Sequence, residues 1–174
     1  MYGLGIEENF GGIGAVIAHE LTHALDDKGR LYDENGNLKD WWCQEDEENF
    51  KERCQKIIEQ FNKETFMGEK INGELTCGEN IADDGGVKIS YDALKNKLGD
   101  KIYEEVDGFT REQRFFMSWA RIWRNLIREE YAKILIIKDP HSPGKLRVNG
   151  ILRNCKEFYK AFSLEEPKDI FTLW

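Results

Sequence analysis

The chain has 174 residues, of which 33% are charged and 40% hydrophobic, and a net charge of −8; this suits one domain with its own core and excludes collagen-like, fibrous and disordered classes. The negative balance opposes general affinity for nucleic acid, which needs a basic footprint. The longest apolar run, Ile13 to Ile17, is far too short to span a bilayer.

The start, Met1-Tyr2-Gly3-Leu4-Gly5, has neither the basic flank nor the apolar core of a secretory signal. Cys43, Cys54, Cys77 and Cys155 include no CxxC pair, so the reading that follows is unpaired, reduced thiols and a cytoplasmic location.

In chain order, residues 11–27 are apolar at Ile13, Val16, Ile17, Leu21 and Leu25, a helical stripe that predicts a buried helix interrupted by His19 and His23. Gly29, Asn35-Gly36 and Asn37 then signal a surface loop with one short hairpin. A second helix is predicted from near Asp40, with Trp41, Trp42, Phe50, Cys54, Ile57, Ile58 and Phe61 facing inward. Residues 78–98 read as a third helix in spite of Gly85 and Gly86, each of which costs about 1 kcal/mol against alanine. Close helix approach has to compensate. Residues 110–135 form the longest periodic segment, opened by a Thr110/Gln113 capping box and predicted to lie against the histidine-bearing helix. Pro140 and Pro143 predict a shaped loop around His141, and residues 154–162 a short terminal helix.

The sharpest signal is His19-Glu20-Leu21-Thr22-His23, an HExxH motif. Four residues at about 100° each bring both imidazoles to one helix face, with Glu20 beside them as a proton acceptor that is not itself a ligand. In a chain with three histidines, chance yields this pattern roughly 0.006 times. A catalytic zinc takes three protein ligands and leaves one position open, so a third ligand has to come from elsewhere. Glu79 is the candidate: Glu79-Asn80-Ile81-Ala82-Asp83 sets two carboxylates at i and i+4, one for the metal and one to hold a ligand imidazole. Taken alone, such a pair is as readily a solvated helix face.

The blocks GGIGAVIAHELTHALDDKGR, ENIADDGG and PHSPGKLR together closely resemble the neprilysin-like zinc peptidases, the M13 family, in that family's order and over nearly the whole chain. The resemblance implies a mainly α, zincin-like (thermolysin-type) helical catalytic subdomain with few short strands. It implies one Zn2+ per chain on His19, His23 and Glu79, with Glu20 as general base and Asp83 as the carboxylate orienting a ligand histidine. Asp26 matches a further acid that steadies His23. His141 matches a residue that hydrogen-bonds the oxyanion and Arg147 one that grips a substrate carbonyl, both set across the metal from Asp83. Val16, Ile122 and Trp123 match residues lining the pocket for the side chain after the scissile bond. The implied activity is hydrolysis of short peptides on the amino side of hydrophobic residues.

Two features depart from the family pattern. The chain contains neither the large helical lid domain nor the Asn-Ala-Tyr/Phe strand that precedes HExxH, so it reads as residues 1–174 of a C-terminal catalytic portion, with an N-terminal half or lid domain as a partner. Apolar surface on the histidine helix should then be exposed. A zinc-binding remnant or interaction module without turnover is the competing expectation. The closing Asp169-Ile170-Phe171-Thr172-Leu173-Trp174 keeps the family's final Trp without the preceding cysteine of secreted members, as in the bacterial oligopeptidases.

Overall fold

A computed structural model describes residues 5–174; residues 1–4, part of the segment read above for a secretory signal, lie outside the described residues. The fold is mainly α, as the sequence predicts. Helix α1 (Ile6–Asn9) passes through a wide π-turn (Phe10–Gly14) into α2 (Ala15–Thr22), and a 3₁₀ turn (His23–Leu25) closes this segment. Next come α3 (Gln44–Asn62), the hairpin β1 (Thr65–Phe66) and β2 (Glu69–Lys70), and α4 (Cys77–Leu98). A second hairpin, β3 (Glu105–Val106) and β4 (Phe109–Thr110), leads into α5 (Arg111–Ile122), followed by α6 (Glu129–Lys138), α7 (Gly144–Leu152) and α8 (Lys156–Ala161). Both hairpins are antiparallel, and an isolated Tyr32–Leu38 bridge closes the Asn35-Gly36 loop. No helix among the described residues is long and apolar enough to cross a membrane.

The core is pooled from α3, α4, α5 and α7: Ile57, Phe61, Ile81, Leu94, Phe115, Trp119 and Ile151 are each 2% exposed or less. Tyr91 of α4 stacks on Phe116 of α5 with centroids 5.5 Å apart, which adds directional packing to area burial. The Thr110/Gln113 capping box forms as expected and starts α5. That helix is anchored to α1 through the buried Glu7, which pairs with Arg111 at 2.9 Å and Arg114 at 3.1 Å. Ser118 Oγ also donates to the Glu8 carbonyl at 2.7 Å. The predicted contact between this segment and the histidine-bearing one is therefore made at α1 and the π-turn, while α4 covers the histidines themselves.

The α2–α4 contact depends on the glycines that the helix would otherwise reject. A methyl group on Gly86 would lie 2.7 Å from the Ala15 carbonyl oxygen and 2.9 Å from the His19 backbone nitrogen. Only hydrogen lets α4 come so close to α2.

The structure corrects four expectations. The apolar stripe of the predicted buried helix faces solvent, in line with the other expectation that apolar surface on the histidine helix is exposed: Ile13 and Ile17 are each 55% exposed and Leu21 68%, while the buried face of α2 carries Ala15, Ala18, His19 and Thr22. Small residues opposite Gly85 and Gly86 permit the closest backbone approach, so they win the inner side over the larger aliphatics. The second helix begins at Gln44, after Trp41 and Trp42, because Cys43 in extended backbone supplies its N-cap through Sγ. Residues 110–135 are not one helix: α5 ends at Ile122, and Trp123 instead turns its ring onto the Arg147 guanidinium, 3.6 Å from the ring centroid. Finally, Gly144, at the end of the loop expected around His141, opens α7, entered from Pro143.

Candidate metal centre

All three histidines of the chain are built on one plan. His23 Nδ1 meets Asp26 Oδ2 at 2.7 Å, and His141 Nδ1 meets Asp139 Oδ1 at 2.7 Å. His19 Nδ1 lies 2.8 Å from Asp83 Oδ1, off the line of an ideal hydrogen bond. A carboxylate behind Nδ1 keeps a proton on that nitrogen and turns Nε2 to the front; in His19 and His23 this leaves the Nε2 lone pair facing a metal position.

The front atoms converge. His19 Nε2 and His23 Nε2 are 3.0 Å apart, and Glu79 Oε2 is 3.3 Å from the first and 3.6 Å from the second. Donor atoms about 2.0–2.1 Å from a tetrahedral zinc are spaced about 3.3 Å from one another, in the middle of the observed range. Glu79 Oε2 is buried and lacks a hydrogen-bond partner among the described residues. Two imidazole lone pairs and a carboxylate oxygen facing one point repel each other, and a cation removes that cost. These three residues form the single group with metal-holding geometry among the described residues. Three ligands leave a fourth tetrahedral position open, as a catalytic rather than a structural zinc site requires.

The electrostatics agree. Burial opposes charge on His19, but the facing carboxylates of Asp83 and Glu79 outweigh it and raise the pKa to about 9. Burial likewise pushes Glu79 up, and His19 with the charges of His141 and His23 more than compensates, holding this carboxyl below its ordinary value. Without metal the cluster is held by a proton on His19; a cation at the same point takes over that role.

The family model described as Peptidase family M13 matches residues 5–172. This chain belongs to peptidase family M13. Endothelin-converting enzyme 1 of Rattus norvegicus is 45% identical over 157 residues, covering 88% of this M13 chain and 21% of the relative. Neprilysin-1 of Caenorhabditis elegans is 45% identical over 161 residues, with shares of 88% and 21%. Among solved structures, the zinc metalloprotease Zmp1 of Mycobacterium tuberculosis in complex with an inhibitor superposes with a TM-score of 0.89 at 41% identity, covering 95% of this chain and 26% of that one. PepO from Lactobacillus rhamnosis gives a TM-score of 0.84 at 37% identity, over 97% and 25%. The M13 chain thus spans about a fifth to a quarter of the length of these relatives.

The remaining predicted residues of the M13 chain fall around the ligand set. Glu20 is exposed beside His19 on α2. His141 stands across from the HExxH histidines, its Nε2 3.2 Å from Glu79 Oε2 and its ring half open to solvent. Arg147 differs from the expectation: it lies on the Asp83 side, buried, with Nε donating to Oδ2 at 2.7 Å and Nη2 to Oδ1 at 2.6 Å. Asp83 therefore holds His19 and the guanidinium edge together, and Trp123 covers a face of the guanidinium. Of the three pocket candidates, Trp123 reaches the site through Arg147, whereas Val16 is half-buried on α2 and Ile122 is 39% exposed at the end of α5. Asp139, missed in the sequence, also takes the His141 backbone N–H at 2.9 Å; an Asp two residues before a loop His is the signal that would have found it.

Proposed function

We propose that this M13 chain is the zinc-binding catalytic portion of an endopeptidase that cleaves short peptides on the amino side of hydrophobic residues. The observation that carries the reading is the meeting of His19 Nε2, His23 Nε2 and Glu79 Oε2, each within 3.6 Å of the others. Zinc, when bound by these three, supplies a Lewis acid that polarises a carbonyl and makes water easier to deprotonate. Glu20 takes the proton of the attacking water and passes it to the leaving amine. His141, carrying a proton on both ring nitrogens, donates from Nε2 to the oxygen on which negative charge develops, with Asp139 holding the ring from behind through Nδ1. Asp83 and Asp26 fix the tautomers and orientation of His19 and His23. Arg147 has two of its nitrogens on Asp83, and its Nη1 edge is the part available to a substrate carbonyl. Val16, Ile122 and Trp123 line the pocket for the hydrophobic side chain.

A second reading, a zinc-binding module without turnover, draws on the solvent-facing Ile13, Ile17 and Leu21 beside the motif. One assay separates the two. The zinc-loaded chain, together with any N-terminal half, should cleave a quenched peptide with a hydrophobic residue after the scissile bond. A chelator should abolish cleavage, and Glu20→Gln should lower it about 10²–10⁴-fold while zinc binding persists. Stoichiometric zinc binding with no Glu20-dependent cleavage defeats the peptidase reading and leaves the module.

A further inference from the structure

A chain of hydrogen bonds, buried at Ser142, Asn80 and Thr76, joins the helix that carries Glu79 to the loop that carries His141. Ser142 Oγ donates to Asn80 Oδ1 at 2.8 Å, Asn80 Nδ2 donates to Thr76 Oγ1 at 3.0 Å, and Thr76 Oγ1 donates to the Asn72 carbonyl at 3.1 Å. Ser142 is 3% exposed, Asn80 1% and Thr76 3%. Every donor runs in one direction, so the Asn80 amide has one orientation that satisfies both of its neighbours. The link joins the residue after Glu79 to the residue after His141. Loop and helix are thereby fastened at the one place where the two side chains approach, Nε2 to Oε2, at 3.2 Å.

We infer that Asn80 and Ser142 are positioning residues that set the distance of His141 from the ligand carboxylate. Other restraints on the loop act on other parts of it. Asp139 holds the ring and backbone of His141 from within the same loop, and the flanking prolines limit backbone angles. Neither ties the loop to α4. The Asn80–Ser142 bond does, in a buried place where exchange with water is closed and an unmade bond is costly. Its effect reaches the reaction only through His141, whose donation counts in the transition state rather than in ground-state binding. This inference rests on the peptidase reading for its kinetic part and on geometry alone for the rest.

The test uses Ser142→Ala, which removes the donor, and Ser142→Thr, which keeps a hydroxyl. With three histidines in the chain, the ring C–H proton signals of His141 in the zinc-loaded protein can be assigned and followed without any turnover. The wild type is expected to show one sharp set, Ser142→Ala a split or broadened set, and Ser142→Thr a restored one. Zinc affinity from chelator competition should stay within about threefold, and kcat for peptide cleavage should fall about tenfold with KM within about twofold. Unchanged His141 signals in Ser142→Ala, an unchanged kcat, or a zinc affinity that falls as far as kcat each overturn the inference. If the wild type, together with any N-terminal half, cleaves nothing, the peptidase reading fails by itself and the His141 signals still decide the positioning role.

Discussion

Gly86→Ala tests whether the two ligand-bearing helices need their close approach. The new methyl would stand 2.7 Å from the Ala15 oxygen, 2.9 Å from the His19 nitrogen and 3.0 Å from the His19 Cα, all backbone atoms of α2 that no rotamer change can move aside. An ordinary contact begins at 3.4 Å, so the helices must part by about 0.7 Å at this point. Two terms then compete. Alanine in a helix interior gains about 1 kcal/mol over glycine, and overpacking a tight contact costs about 1–3 kcal/mol. The metal-free chain should lose about 1 kcal/mol net, read from denaturant unfolding. Zinc is the more sensitive probe, because ligand distances tolerate only about ±0.2 Å and His19 and Glu79 sit on the two parted helices; affinity by chelator competition should drop at least about tenfold. Gly85→Ala is the control: its methyl meets the Thr22 side chain, at 2.6 Å, instead of backbone, and zinc affinity should change less than about threefold. A Gly86→Ala chain that gains the full helix-propensity term and binds zinc as before would refute the close contact.

Asp83→Asn keeps the shape but strips the charge that serves both His19 and the buried Arg147. Unfolding should show a loss of about 3–5 kcal/mol from the unpaired guanidinium, and zinc affinity should fall about 10–100-fold; an unaffected zinc affinity would separate Asp83 from the metal site. The pKa of about 9 on His19 lies above its ordinary value of 6.5. A raised value contributes stability that is complete below pH 6.5 and lost as pH rises through 9. The metal-free chain should therefore weaken between those limits, by up to about 3 kcal/mol. The same proton competes with zinc, so lowering pH from 8 to 7 should weaken zinc about tenfold, with proton release visible by calorimetry in two buffers.

The candidate ligand cluster could be read from the sequence because it is nearly all local. His19 and His23 share one helix face, Glu79 and Asp83 another, and Asp26 follows His23 by three residues, so helix geometry alone brings each pair together. Which face of α2 would be buried was not legible: Ile13, Ile17 and Leu21 look like an inner stripe, and only the partner helix, through two glycines, shows that the inner side is the one with alanines and histidines. The break after Ile122 carries no glycine or proline to announce it, since its cause is the distant Arg147 beneath Trp123. The two hairpins escaped because their strands are two residues long, although Asp107-Gly108 is a recognised turn pair. Pro143 likewise marked the start of α7, but beside Pro140 it looked like one more loop breaker. Asn80 and Ser142, 62 residues apart, had no signature outside the folded chain.

The π-turn at Phe10–Gly14 sets the phase of the whole N-terminal segment. A π-turn closes one residue later than an α-turn, so everything after it is rotated by about 100° relative to an uninterrupted helix. Upstream of it Glu7 points to the arginines of α5; downstream His19 and His23 point to Glu79 on α4. In a straight helix the residues from Glu7 to His19 would set these two side chains about 120° apart; the offset brings them to within about 20°, onto one side of the segment. The extra residue in the turn acts as an angular offset, letting one continuous segment be bolted to one helix by its charges while it presents its imidazoles to another.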